Sequence, residues 1–216
     1  MEKKFILTDK FVINSFGIKL FQIKCTKSFK YAQKGDFGGY VEKEGNLDQE
    51  NDAWVFGNAR VFGNARVSDN ARVSGNAWVS DNAWVSGDAW VSGNAWVSGD
   101  AWVSGYAWVS GDARVSGNAR VSGDVWVSGN AWVSGDADIE NDNEHCGFDG
   151  FGSCNRHTHA YMTKEKKVEI ICGCFRGSIE EFEKKVEETH SGTVYEKQYK
   201  SIINVIKIKF GLTDFT

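Results

Sequence analysis

The sequence predicts a mainly β fold: a parallel β-solenoid with an N-terminal β cap and a small C-terminal α+β module. Three observations predict it. From Ala53-Trp54-Val55 to Ala131-Trp132-Val133 an Ala-Trp-Val or Ala-Arg-Val triplet recurs every six residues, in fourteen copies without insertion, Val125 alone replacing the alanine. A Ser-Gly-Asn or Ser-Gly-Asp type tripeptide joins each copy to the next. Proline is absent from the chain, as suits a ladder that needs a donor from nearly every strand residue. Self-similarity this strict marks units that bury their apolar side only by stacking on neighbours.

The hexad follows from backbone geometry. Side chains alternate along an extended chain, so Ala and Val of each triplet face inward and Trp or Arg faces outward. The tripeptide supplies a residue that tolerates positive φ and a short polar side chain for the corner. Three edges per coil close a triangular prism with an 18-residue period, and coils stack about 4.8 Å apart. That period sorts the outward residues into three ladders: Trp54, Arg72, Trp90, Trp108, Trp126; then Arg60, Trp78, Trp96, Arg114, Trp132; then Arg66, Trp84, Trp102, Arg120, Asp138. All nine tryptophans lie in them. Ring on ring, or guanidinium on ring, such contacts contribute about 0.5 to 1.5 kcal/mol each beyond burial.

An aliphatic residue followed four positions later by a small one resembles the bacterial hexapeptide-repeat family. The resemblance implies a left-handed parallel β-helix over residues 45–142; the hand comes from the family, since crossover physics favours the other one. The chain departs from that family after the aliphatic position, where it mostly carries Ser in place of Gly, Ala or an acid. The stretch Gly35 to Val55, and the tail Cys172-Gly173-Cys174-Phe175-Arg176-Gly177 with the acidic helix after it, resemble small phage- and prophage-type members of the family.

Residues 1–44 read as the cap. Phe5 to Leu7 and Phe11 to Ile13 are apolar, Asn14 to Gly17 carries turn signals, and Ile18 to Cys25 alternates, which predicts a hairpin. Phe37 and Tyr40 are expected to plug the open end of the prism. Residues 143–216 predict a ββαα module, with strands near 157–163 and 167–175 and a helix begun by the capping box of Ser178 and Glu181. Ile179, Phe182 and Val186 make one apolar helix face. Tyr199, Ile202, Ile203 and Ile206 make that of a second helix from about Tyr195.

The net charge of -4 is unevenly spread. Residues 1–44 carry nine Lys against five acids, and residues 45–140 carry five Arg against twelve acids. An acidic prism is a poor partner for phosphate backbones, so no general nucleic-acid binding is expected. No stretch approaches a membrane span or a signal peptide, and five cysteines fit reduced thiols, so a cytoplasmic location is expected.

Hexapeptide-repeat folds host acyltransferases and γ-class carbonic anhydrases, both of which depend on histidine. Residues 45–142 contain none, and no long loop interrupts the repeat. A catalytic alternative, acyltransferase-like or zinc-dependent, is therefore confined to the tail, where His157, His159, Cys172 and Cys174 are the available participants. Cys172 and Cys174, two apart on a strand, are expected to point the same way. No paired Cys-x2-Cys occurs, and no cofactor or metal is expected. The aspartates before the alanines are read as solubilising the corners, since calcium needs oxygens converging on one point.

The densest polar stretch, Ser153, Asn155, Arg156, His157, Thr158 and His159 together with Arg176, suits recognition of a nucleotide-like anion or of a host protein. The outward ladders admit three readings: structural stacking, a homo-oligomer interface with a trimer favoured, and a ligand platform. The sequence thus points to a non-catalytic homo-oligomeric binding or scaffold protein, with a purely structural solenoid as an alternative.

Overall fold

The computed structural model describes residues 2–212. Strands β1 (Phe5–Ile13) and β2 (Lys19–Cys25) form the antiparallel hairpin. Its turn is held by Asn14 Oδ1, which accepts from the N–H groups of Phe16 and Ile18, with Gly17 at φ +78°. Strand β3 (Phe37–Val41) pairs antiparallel with β2 and parallel with Arg60-Val61. The cap therefore continues one sheet of the solenoid. Gly38 and Gly39 permit this, because a Cβ on either would lie 2.6 or 2.7 Å from the carbonyl oxygen of Val55 or Ala59.

Fifteen two-residue strands follow, from β4 (Trp54–Val55) to β18 (Asp138–Ile139), in three parallel sheets. The expected register holds throughout: Trp78 pairs with Trp96, Trp90 with Trp108 and Trp84 with Trp102. Every inward Ala and Val from Ala53 to Val133 is buried. The first coil is longer, since Val41 pairs with Val61 and Leu47 bridges to Val67, twenty residues on instead of eighteen. Its two extra residues lie between Leu47 and Val55.

Corners repeat one geometry. Gly57 to Gly135 hold φ between +57° and +70°, and a Cβ at Gly105 would sit 2.6 Å from the Gly123 nitrogen in the next coil. Asp69 and Asp81 take the same conformation and turn their carboxylates to use, accepting from the N–H of Gly87 and Gly99 at 3.0 and 3.1 Å.

Two side-chain ladders run up the prism. Five of the serines that follow valines give the departure from the hexapeptide pattern a role. Ser68, Ser74, Ser80, Ser86 and Ser92 accept from the indole Nε1–H of Trp84, Trp90, Trp96, Trp102 and Trp108 at 2.8 to 3.2 Å, always sixteen residues on. At the corners Asn58 donates to Asn76, Asn76 to Asn94 and Asn94 to Asp112. Asn64, Asn82 and Asp100 form a second such run, and Asn70–Asp88 and Asn118–Asp136 are pairs. Between Asp52 and Asp136, no Asp in the three corner columns stands directly above another Asp.

The tail folds as a four-stranded antiparallel sheet of β19 (His145–Phe151), β20 (Arg156–Met162), β21 (Val168–Cys172) and β22 (Phe175–Gly177), then α1 (Ile179–His190) and α2 (Val194–Lys209). The ββαα expectation is thus corrected to ββββαα. The sequence of β19, His-Cys-Gly-Phe-Asp-Gly-Phe, has no apolar alternation, and β22 is three residues long, so neither carries a periodic signal. The expected helix faces are buried, and Ser178 and Glu181 form the capping box.

One core runs from Phe5 and Ile23 through the stacked Ala and Val residues to Ile139, Tyr161 and Ile171. Tyr161 and Ile171, from β20 and β21, close the far end of the prism; the other face of that sheet packs on the two helices. At the near end the plug is Phe5 and Ile23. The expectation for Phe37 and Tyr40 is overturned: Phe37 is 61% exposed, and Tyr40 stands in the outward register opposite Arg60, packed with Leu20 and Phe62. Alternation decides the matter, because Val41 takes the inward position of β3.

Candidate functional site

The structure divides the polar stretch of the tail between the two faces of its sheet. Along β20, Thr158 and Ala160 turn toward the helices, whereas His159 and Tyr161 turn toward the solenoid. Ser153, Asn155 and Arg156 are exposed at the hairpin end, where Asn155 takes φ +48°. Arg176 is not beside them. Its guanidinium grips Glu169 at 2.5 and 3.1 Å, and it lies so close over Gly135 of the last coil that a Cβ there would collide with it. Tyr161 Oη also donates to Glu169, at 3.2 Å, and burial pushes its phenol up to about 12. Arg176 is thus a clamp between module and prism.

On the helix face, Arg156 lies over Gly173 and borders a cleft of about 170 Å³ with Cys172, Cys174, Lys185, His190 and Tyr199. Cys172 is buried, with its Sγ accepting from Thr158 Oγ1 at 3.3 Å and lying 3.7 Å from Tyr199 Oη. Cys174 is exposed. Both thiols border that cleft, but not as alternate residues of one strand: β21 ends at Cys172, and Gly173, at φ +61°, turns the chain before β22. Among the described residues, no three His, Cys, Asp or Glu side chains converge as metal ligands.

The solenoid side of the sheet carries a histidine cluster that spacing alone concealed. His159 is 1% exposed, and its Nδ1 lies 3.1 Å from the carbonyl oxygen of Trp132. A carbonyl only accepts, so Nδ1 carries the proton and Nε2 is left as an acceptor. His145 Nδ1 lies 3.1 Å from that Nε2 and must donate to it. His145 Nε2, 3.4 Å from Asp142 Oδ1, then becomes a donor only when His145 is protonated. Burial pulls the His159 imidazole down to about 3 and that of His145 below its usual value. His157, the third member, has its Nδ1 2.8 Å from Asp149 Oδ1 and its buried Nε2 without a partner among the described residues.

The tryptophan ladders differ along their length. Trp90 and Trp108 stack at 4.9 Å with planes 2° apart, and Trp84 and Trp102 at 5.4 Å and 8°. Arg72 and Arg120 cover Trp90 and Trp102 at 4.6 and 4.8 Å. Trp54 is 1% exposed beneath Phe5 and Phe29 of the cap, and Trp78 and Trp96 meet Phe16. Trp84, Trp126 and Trp132 stay open, 43%, 59% and 40% exposed, one in each of the three sheets. Trp126 leaves the stack, its ring at 77° to Trp108. Its ladder ends there, so no ring from a following coil holds it flat.

A family model described as YdcK Beta solenoid repeat matches residues 65–81 and 113–129. No match is found among curated proteins. Both matched stretches lie in the repeat; with the observed fold, they support a β-helix repeat family for the solenoid.

Proposed function

We propose that the chain is a non-catalytic binding and scaffold protein whose prism holds the C-terminal module at a fixed position. The continuous core carries this reading. Phe5, the stacked Ala and Val residues, Tyr161 and Ile171 pack as one body, which leaves no hinge between prism and module. Rigid presentation of a surface needs no nucleophile, and the repeat supplies neither histidine nor cysteine for acid-base or covalent work.

Self-association is part of the proposal, with a trimer favoured. The hairpin and β3 expose Ile6, Phe11, Ile13, Phe16 and Phe37, more large apolar surface in one region than a solitary solenoid needs. The ligand side rests on the cleft at Arg156, where Lys185 and His190 add donors suited to a nucleotide-like anion. A phage-type, host-directed role is the setting that the family resemblance suggests for it. Light scattering tests the assembly: particles larger than 24.0 kDa are expected for the native chain, reverting toward that mass in Phe16→Ser. A thermal-shift screen with mono- and dinucleotides tests the cleft. At a hundred times its dissociation constant, a ligand adds about 2.7 kcal/mol. Arg156→Ala is expected to abolish the shift and Arg176→Ala to lower the basal melting temperature without abolishing it.

A further inference from the structure

A groove lies at the end of the Trp54 ladder. It encloses about 420 Å³ between Lys30 and Tyr31 of the cap, Trp90 and Trp108 on its floor, and Tyr106 and Trp126 at its far side. That volume lies within the range of small-ligand pockets. The floor rings use their faces on one another, so they present edges. Open ring faces come from Tyr106, 68% exposed, and from Trp126, turned out of the stack. Tyr106 is a break in the repeat: its corner column otherwise reads Asp52, Asn70, Asp88 and Asp124. An exposed phenol stands where the pattern calls for a short polar corner residue. It adds nothing to the corner bonds that the Asn and Asp ladders make.

The polar lining is mixed in sign. Lys30 and Arg72 contribute donors, Asp88 a carboxylate, and the Tyr106 hydroxyl can do either. Arg72 is wedged between Tyr31 and Trp90 at 5.5 and 4.6 Å, and its buried Nε has no partner among the described residues. Asp88 lines the groove itself, and Asp52 and Asp124 continue its corner column in a prism whose acids outnumber its arginines. Lys30 and Arg72 offset these acids, so the groove offers no single sign of charge for a phosphate or carboxylate. A neutral molecule with flat C–H faces for the open rings and hydroxyls for Lys30 and Asp88 uses its donors, its acceptor and its ring faces together. The open indoles of Trp84 and Trp132 sit on other faces, so the groove is bounded and does not extend into a wide apolar interface.

We propose that this groove binds a neutral saccharide, with pyranose rings laid against Trp126 and Tyr106 and hydroxyls held by Lys30, Arg72 and Asp88. The proposal is independent of the anion cleft in the C-terminal module. Saturation-transfer NMR and calorimetry of the full chain with cellohexaose, maltohexaose and chitohexaose, and with AMP as the anionic comparison, test it. At least one hexasaccharide is expected to bind with a dissociation constant of about 1 mM or tighter. Trp126→Ala and Tyr106→Ala should each weaken it about tenfold, and Trp132→Ala, an open indole on another face, should leave it unchanged. Trp126 ends its ladder and is mostly exposed, so its truncation leaves the stack intact, which an unchanged melting temperature would verify. Absence of binding by all three sugars, equal binding by Trp126→Ala, or AMP binding at the groove that Trp126→Ala removes would each overturn the assignment.

Discussion

The two ends of the prism solve opposite problems. Within the solenoid the N–H groups of Trp, Ser and Asn in one coil donate to the carbonyls of Ala, Val and Gly in the next, as Trp90 to Ala107, Ser92 to Val109 and Asn94 to Gly111. The first coil therefore presents surplus acceptors and the last coil surplus donors, each of which needs a partner. At the first coil two faces are completed by backbone, through β3 and through the Leu47 bridge. On the third face, among the described residues, no strand precedes Trp54. There Lys4 stands in, its Nζ donating to the carbonyls of Asn51 and Ala53 at 2.5 and 2.9 Å; on the face of the Leu47 bridge, Asn46 Nδ2 donates to Gly63 and Ala65. At the last coil carboxylates do the converse: Asp142 accepts from the Trp126 N–H and Glu144 from the Glu140 N–H. The near end is sealed by a buried ammonium, and the far end by an exposed and a half-buried carboxylate and by buried His159.

The difference predicts unequal costs. Lys4→Met keeps the apolar stem and removes the donor, leaving two carbonyls unpaired at a buried edge. A loss of about 2 to 4 kcal/mol in urea unfolding is expected. Asp142→Ala, whose carboxylate is mostly exposed, should cost about 1 kcal/mol or less, since water replaces it. Equal losses from the two would remove the distinction. Burial also holds the Lys4 ammonium down to about 8. Its folded pKa lies below the unfolded value near 10.5, so the cost of charging it is fully present below pH 8. That cost is relieved as pH rises toward 10.5.

Acid acts on the other end. His159 titrates far below the unfolded value near 6.5, so its contribution is fully present above that pH and falls as pH drops toward about 3. Protonating its Nε2 sets an N–H against the N–H of His145 Nδ1. The groups facing the pair are Asp142, the His157–Asp149 couple and Lys209, which donates to the Asp142 carbonyl. A slope of about 1.4 kcal/mol per pH unit is expected between pH 6 and 5, above the carboxylate range. Hydrogen exchange should show the β20 amides opening before those near Trp54. His159→Gln keeps a donor for Trp132 and is expected to flatten the slope; an unchanged slope would assign the acid sensitivity elsewhere.

Legibility followed periodicity. The coil register, the inward Ala and Val, the three ladders, the hairpin and both helices were readable because each repeats a residue type at a fixed interval. The serine partners of the indoles were readable in principle, since sixteen separates every Ser from its Trp, but an interval two short of the period has no meaning until the coil is closed. Lys4, Tyr161 and His159 were not readable. Each acts once, at an end, by filling a vacancy that the repeat creates only in three dimensions. The polar stretch around Arg156 looked like one site because neighbours in sequence were treated as neighbours in space, whereas strand alternation sends them to opposite faces.

The smallest effect tests the corners, where the repeat itself avoids like charges. Coils stack about 4.8 Å apart, so two carboxylates in one column would face each other across that gap. Placing Asn between them, as Asn70 stands between Asp52 and Asp88, converts repulsion into an amide that donates to one carboxylate. Asn94→Asp sets a second carboxylate beside Asp112 and deletes the 3.0 Å bond between them. A loss of about 0.5 to 1 kcal/mol at low salt is expected, as for like charges directly opposed on neighbouring strands. About 1 M salt shortens the screening length to about 3 Å and should recover much of that loss. Asn94→Ala removes that hydrogen bond and the one accepted from Asn76 without adding charge, so its loss should be independent of salt. If the two substitutions respond alike to salt, hydrogen bonding alone sets the Asn and Asp pattern, and charge avoidance plays no part in it.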